Sequence, residues 1–357
     1  MTVGDRPLNI AILAVPAATA STLYGMLDLF SSPGRDWPFI TKGEICEAKM
    51  RPYVVARTVE DFRAINEVRI HPDFALNDCP SPDIVCIPDF FVNPGESVSG
   101  QYDPEAQWLA ENYRRGALLA SACSGALLFG EAGLLADCEA TIHWGYESTL
   151  SDNYPRVRVQ TNRSLVMTGE GQRIVMAGGG SSWQDLALYV IARFVGLKEA
   201  IEVAKVYMLQ WHDLGQQPFA SLTCHRHSDD PMIGSCQEWL ALHYRTRAPI
   251  ASIIAQSGLP ERSFLRRFTK ATGMKPIDYL HAVRIEEAKQ LLERSEMSVE
   301  AIADEVGYED VSFLNRLFRR KTGLTPAQYR LRFGHLSKLV ASAPDDFAPP
   351  YVPPTQK

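Results

Sequence analysis

The chain repeats itself near its C-terminal end. Ile253, Gly258, Phe268, Gly273, Pro276 and Tyr279 recur as Ile302, Gly307, Phe318, Gly323, Pro326 and Tyr329. The offset is 49 for the first two pairs and 50 for the rest, so one residue is added within the second turn. A period of this length describes two copies of one supersecondary unit. In each copy a short helix ends at a glycine, Gly258 or Gly307, which tolerates the left-handed backbone of a tight turn. A second helix then starts near Pro260, a residue suited to a helix start, or near Asp310, a capping residue. Phe264 with Phe268, and Leu314 with Phe318, lie four apart and anchor one face.

The opposite faces are polar. They carry Arg262, Ser263 and Arg266 in the first copy, and Ser312, Asn315, Arg316 and Arg319 in the second. Arginine pairs bidentately with guanine, asparagine with adenine, and serine contacts bases or phosphates. The spacing predicts a long linking helix over Pro276–Arg294, with Ile277, Leu280, Ile285, Ala288, Leu291 and Leu292 on its apolar side. Such a helix sets the distance between two readers, which for adjacent major grooves on one DNA face is roughly 34 Å.

Charge follows the same division. Residues 232–335 hold 16 Lys and Arg against 12 Asp and Glu, a net of +4, while the remainder holds 20 against 30, a net of −10. That asymmetry fits a nucleic-acid module joined to an acidic partner domain. The organisation expected is a sensor domain over 1–214, a linker over 215–231, the reader domain over 232–335 and a Pro- and Ala-rich disordered tail over 336–357. No apolar run reaches 18 residues. Leu8–Val15 reads as a buried strand instead of a signal peptide. A cytoplasmic protein is expected, its seven cysteines reduced and its odd count unsuited to a disulfide framework.

The first two-thirds alternates strands and helices. Strands are expected at 9–15, 52–59, 83–87, 117–122 and 174–177, with 156–159 and 164–168 as a pair. Helices are expected at 22–30, 107–115, 183–194 and 199–210. This alternation implies a mostly parallel sheet covered on both faces. The strand over 117–122 runs straight into Cys123-Ser124-Gly125-Ala126, an elbow that exposes its first side chain at the carboxyl edge of a sheet. A helix N-terminus there lowers a thiol pKa. His143, in Thr141-Ile142-His143-Trp144, is placed to serve as its base.

Two resemblances follow from these residues. The stretches IIAQSGLPERSFLRRFTKATGMKPIDYL and IADEVGYEDVSFLNRLFRRKTGLTPAQYR resemble the two units of the AraC/XylS family. Residues 8–200 resemble the class I glutamine amidotransferase-like fold of the PfpI type, through the opening strand, ASACSGALLFGEAGLL, ATIHW and AGGGSSWQDLALYVIARFVG. The combination is similar to the GlxA group of regulators. It implies a flavodoxin-like parallel sheet sandwich followed by an all-α double helix-turn-helix domain.

In hydrolytic relatives of the first domain, the cysteine works with a histidine and with an acid after the first strand. Cys123 and His143 stand at matching places, but Ala18–Tyr24 contains no Asp or Glu. The reading this favours is a catalytically silent sensor whose pocket, lined by Cys123, Ser124, His143 and Trp144, binds a small nitrogenous metabolite. The alternatives are an active Cys123 nucleophile of amidase type and a thiol redox sensor. The resemblance further implies promoter DNA and RNA polymerase as partners, an activating role and a homodimer. No cofactor is expected. The cluster Cys224-His225-Arg226-His227, with Cys236, lacks the two paired sets of a zinc site, so no metal is expected either. Trp144, Tyr146 and Trp183 are a candidate aromatic pocket for a quaternary amine.

Overall fold

The structure, a computed structural model, describes residues 6–221 and 230–335. The tail and the Cys224–His227 cluster lie outside the described residues. The chain divides into two compact units, 1–217 and 218–357.

In the first unit seven strands form one sheet: β1 (Leu8–Leu13), β2 (Met50–Ala56), β3 (Phe74–Ala75), β4 (Ile84–Ile87), β5 (Leu118–Ala122), β6 (Leu165–Thr168) and β7 (Ile174–Ala177). Their order is β6-β7-β5-β4-β1-β2-β3. Every neighbouring pair is parallel except β6 with β7. Strands β4, β5 and β7 are buried at every position, as strands covered on both faces must be.

Successive side chains go to opposite layers. Ile10, Ile12, Val54, Ile84 and Val175 pack beneath α1 (Ala20–Ser31) and α4 (Ser182–Phe194). Ala11, Leu13, Val55, Val85 and Met176 pack with residues of α2 (Asp103–Arg114) and α3 (Ala126–Glu131). The chain winds from β1 outward through β2 and β3, then returns to place β4 and β5 on the other side of β1. This is the doubly wound, flavodoxin-like arrangement expected, and its reversal point opens a crevice at the strands' carboxyl ends.

Three expectations change. The strand expected to reach 59 ends at Ala56. The segments at 156–159 and 164–168 do not pair with each other: Arg158–Val159 runs parallel to Glu139–Ala140, and β6 joins the main sheet through β7. The Gln160 amide donates to the Ala140 carbonyl at 2.7 Å, so the first ladder continues past Val159 and the chain turns away instead of back. Gln216, expected in a linker, is 4% exposed within the first unit.

The described part of the second unit is helical: α5 (Pro231–His243), α6 (Pro249–Ser257), α7 (Glu261–Thr272), α8 (Pro276–Arg294), α9 (Val299–Glu305), α10 (Val311–Thr322) and α11 (Pro326–Phe333). The linking helix α8 has 19 residues, roughly 28 Å at 1.5 Å per residue. It buries Tyr279, Leu280, Val283, Ile285, Ala288 and Leu292. Ile277, expected on that side, is exposed.

Candidate nucleic-acid interface and sensor elbow

The repeat is physical as well as sequential. Thr272 and Thr322 each end a helix, α7 or α10, and each hydroxyl has two carbonyls within hydrogen-bond reach of its one proton while accepting a backbone amide from Met274 or Leu324. Thr272 reaches Phe268 at 2.8 Å and Met274 at 3.0 Å; Thr322 reaches Phe318 at 2.9 Å and Leu324 at 3.1 Å. Gly273 and Gly323 follow in left-handed conformation, with φ of 71° and 77°. Tyr279 meets Phe268 edge-on at 5.6 Å, and Tyr329 meets Phe318 edge-on at 5.3 Å. Each fold of the repeat therefore fixes its second helix through the same internal clasp.

With Phe264, Phe268 and Thr272 buried on α7, and Leu314, Phe318 and Thr322 on α10, the other side of each helix is turned to solvent. Arg262, Arg266, Ser312, Arg316 and Arg319 are exposed there, while Ser263 and Asn315 are half-buried. Ser263 sits off the main stripe. Its counterpart at offset 50, Phe313, packs against His281 and Tyr308. Among the described residues Arg262, Arg266 and Arg319 have no acidic partner, and Arg316 makes only a solvent-exposed 3.7 Å pair with Asp310. Arg267 is different: Asp230 holds it bidentately at 2.6 and 2.9 Å. Asp310 caps α10 by accepting from the Ser312 amide at 2.8 Å. Gly307, with φ of 84°, leaves room for the Arg284 guanidinium, which donates to the Tyr244 carbonyl at 3.0 and 2.7 Å.

The elbow in the first unit forms as expected, with β5 passing into a turn at Cys123–Gly125 and then α3. Cys123 adopts φ of 52°, a strained conformation for a residue with a β-carbon. The thiol, however, is not poised as a thiolate. Burial, and secondarily the Asp89 charge, pushes it up to about 12, against which hydrogen bonds from Ser124 and the His143 amide act only in part. Desolvation outweighs the helix end. Burial also lowers the His143 pKa, and its Nδ1 accepts the Gly145 amide at 3.0 Å. Among the described residues no hydrogen bond joins the thiol to the imidazole.

Ser124 faces inward. Its hydroxyl donates to the Phe90 carbonyl at 2.6 Å and accepts the Phe90 amide at 2.9 Å, tying the elbow to the loop after β4. Trp144 lies tilted on the His143 ring at 4.8 Å. The aromatic trio does not assemble as a whole: Tyr146 joins Trp144 at the His143 ring, 6.0 Å away, while Trp183 packs with the layer under α1.

Two features escaped the sequence reading. An acid does stand near Cys123, but it comes from beyond β4: Asp89, whose carboxylate accepts the Thr19 hydroxyl at 2.5 Å. The signal was an acidic residue two positions after an apolar buried strand. The other is Gln216. Its carbonyl oxygen accepts the Gly179 amide at 2.8 Å and the Trp144 amide at 3.2 Å, and its amide nitrogen donates to the Ile142 carbonyl at 2.9 Å. The triple glycine now has a reason, since a β-carbon on Gly178 would meet Gln216 at 2.3 Å. A cavity of about 420 Å³ also opens at the carboxyl ends of β1 and β2, lined by Pro16, Ala17, Arg57, Phe62 and Tyr102 among others. Arg57 is fixed there by a bidentate pair with Glu105 at 3.0 and 2.7 Å.

The chain is similar to known proteins over much of its length. Residues 253–332 match a family described as "Helix-turn-helix domain". The chain is 26% identical over 275 residues to the HTH-type transcriptional regulator CdhR of Pseudomonas aeruginosa, covering 75% of this chain and 77% of that one. It is 25% identical over 225 residues to the HTH-type transcriptional regulator GlxA of Rhizobium meliloti, covering 62% and 67%. A ThiJ/PfpI family protein from Pseudomonas syringae overlays with a TM-score of 0.46 at 19% identity, covering 74% of this chain and 88% of that one.

Readers paired in tandem on a helical scaffold, within a segment matched as helix-turn-helix, make this a DNA-binding transcription regulator. In its second unit it is similar to a helix-turn-helix family, and along most of its length to HTH-type transcriptional regulators. Among the described residues no helix is long and apolar enough to cross a membrane.

Proposed function

We propose that this regulator binds promoter DNA as a homodimer through α7 and α10, and activates transcription with RNA polymerase when its first unit holds a small nitrogenous metabolite. The observation that carries the reading is the clasp-matched pair of helices presenting Arg262, Arg266, Arg316 and Arg319 outward. Arg262, Ser263, Arg266, Ser312, Asn315, Arg316 and Arg319 form the contact set. Exposed guanidinium groups on two rigidly held faces suit guanine edges and phosphates in successive major grooves.

The metabolite site is assigned to the elbow at the carboxyl edge of the sheet, around Cys123, Ser124, His143 and Trp144; the cavity beside Arg57 opens at the same edge but is lined by other residues. The protonated state of the Cys123 thiol favours a silent sensor over a cysteine enzyme or a thiolate redox switch. A ligand changes output only by its differential affinity for two arrangements of the protein.

The test is a salt titration of promoter binding by the full chain, with and without nitrogenous metabolites. Affinity should fall linearly with salt on logarithmic axes and change with one metabolite class. Binding that is indifferent to salt would refute the DNA-reading faces. An electrophile adduct on Cys123 that turns over with substrate would overturn the silent sensor.

A further inference from the structure

The two recognition helices share an internal frame but not an outer text. At offset 50, Arg262, Leu265, Arg266 and Thr269 of α7 correspond to Ser312, Asn315, Arg316 and Arg319 of α10. Both sets have the spacing i, i+3, i+4, i+7, which is one stripe of a helix. The threonine clasps, left-handed glycines and edge-on Tyr–Phe contacts hold the stripes in equivalent places. One position is anomalous. Where α10 has Asn315, α7 has Leu265, which is 37% exposed between Arg262 and Arg266.

Resting on the DNA-reading function above, we propose that Leu265 is a specificity-determining residue that packs on a thymine methyl group in the half of the operator read by α7. An asparagine at this place offers a donor and an acceptor to adenine. A leucine offers neither, and set against a hydrogen-bonding base edge it strips water from polar atoms without replacing it. The apolar feature of the major groove is the thymine 5-methyl group. The flanking arginines bring the helix close enough to the duplex for that contact to be dry. The two halves of the operator are therefore read by different chemistry, and the α7 half carries a methyl requirement that the α10 half does not.

The experiment begins with duplexes selected by the full chain from a random-sequence pool. Each thymine of the selected site is then replaced singly by deoxyuridine, which removes the methyl group alone. Wild-type affinity should drop about three- to fivefold at one or two thymines, the worth of one buried methyl. Leu265→Ala should bind more weakly and lose its response at those same thymines, while responding like wild type elsewhere. Leu265→Asn should shift the selected base there toward adenine. Equal deoxyuridine profiles for wild type and Leu265→Ala would overturn the inference while leaving DNA reading intact. Failure to select any sequence would overturn DNA reading itself, and this inference with it.

Discussion

The His143 ring lies so close over Gly179 that a β-carbon on the glycine would fall 1.8 Å from its Cδ2. The middle glycine of the Gly178-Gly179-Gly180 run is thus a seat for the imidazole. Gly179→Ala should force the ring and the segment around Trp144 to shift, destabilising the first unit by roughly 1–3 kcal/mol, the usual cost of overpacking. Denaturant titration of the full chain, followed by tryptophan fluorescence, measures it. An unchanged midpoint for the first unit would show that His143 does not rest there.

The buried thiol makes a pH prediction. An unfolded Cys123 titrates near 9.0, and the folded one is held up at about 12. Below pH 9 both states keep the proton, and the thiol adds no pH dependence. Between 9 and 12 only the unfolded state releases it, so native stability falls as pH rises. Cys123→Ser should remove that share of the alkaline loss. In the native protein, iodoacetamide at pH 8 should alkylate the exposed Cys46 well before Cys123, as read by peptide mass spectrometry.

Arg266→Ala and Arg316→Ala should each weaken promoter binding by roughly 1–3 kcal/mol if they read bases. Sequence discrimination should relax at one position in each half-site. A uniform loss across all sequences, with a shallower salt slope, would reassign the residue to a phosphate contact. Gel shifts of wild type and variants on scrambled half-sites separate the two outcomes.

Gly307→Ala tests the turn of the second reader. The backbone there has φ of 84°, and a β-carbon would stand 2.9 Å from Arg284 Nη2. Arg284 would have to give up part of its hold on the Tyr244 carbonyl. A loss of about 1–3 kcal/mol in the stability of the second unit is expected, from strain and the disturbed buried guanidinium together. Hydrogen exchange over α9 and α10 should quicken more than over α6 and α7.

The parts that the sequence made legible are those with a repeated or periodic signal. The two recognition helices could be found because Gly258, Phe268 and Tyr279 had partners to be compared with. The buried strands could be found from apolar runs such as Ile84–Ile87, whereas their order in the sheet came only with the folded chain. The failures share a cause, contact between residues distant in sequence. Gln216 lies in a polar, aperiodic stretch that looks like tether, and only the folded chain brings it to Thr141, Arg163 and Gly179. Asp89 was overlooked because the acid was sought after β1, whereas neighbouring strands in a doubly wound sheet end at one edge and any of them can deliver a carboxylate. Ser124 looked available beside Cys123, but on so tight a turn adjacent side chains point opposite ways.

The paired threonine clasps have a consequence for how such a regulator changes over generations. The clasps lie on the inner side of each recognition helix, away from its outer polar stripe. Substitutions along one outer stripe leave the scaffold of both copies untouched. New target genes can therefore be acquired half a binding site at a time, with the other half keeping the protein anchored while the first drifts.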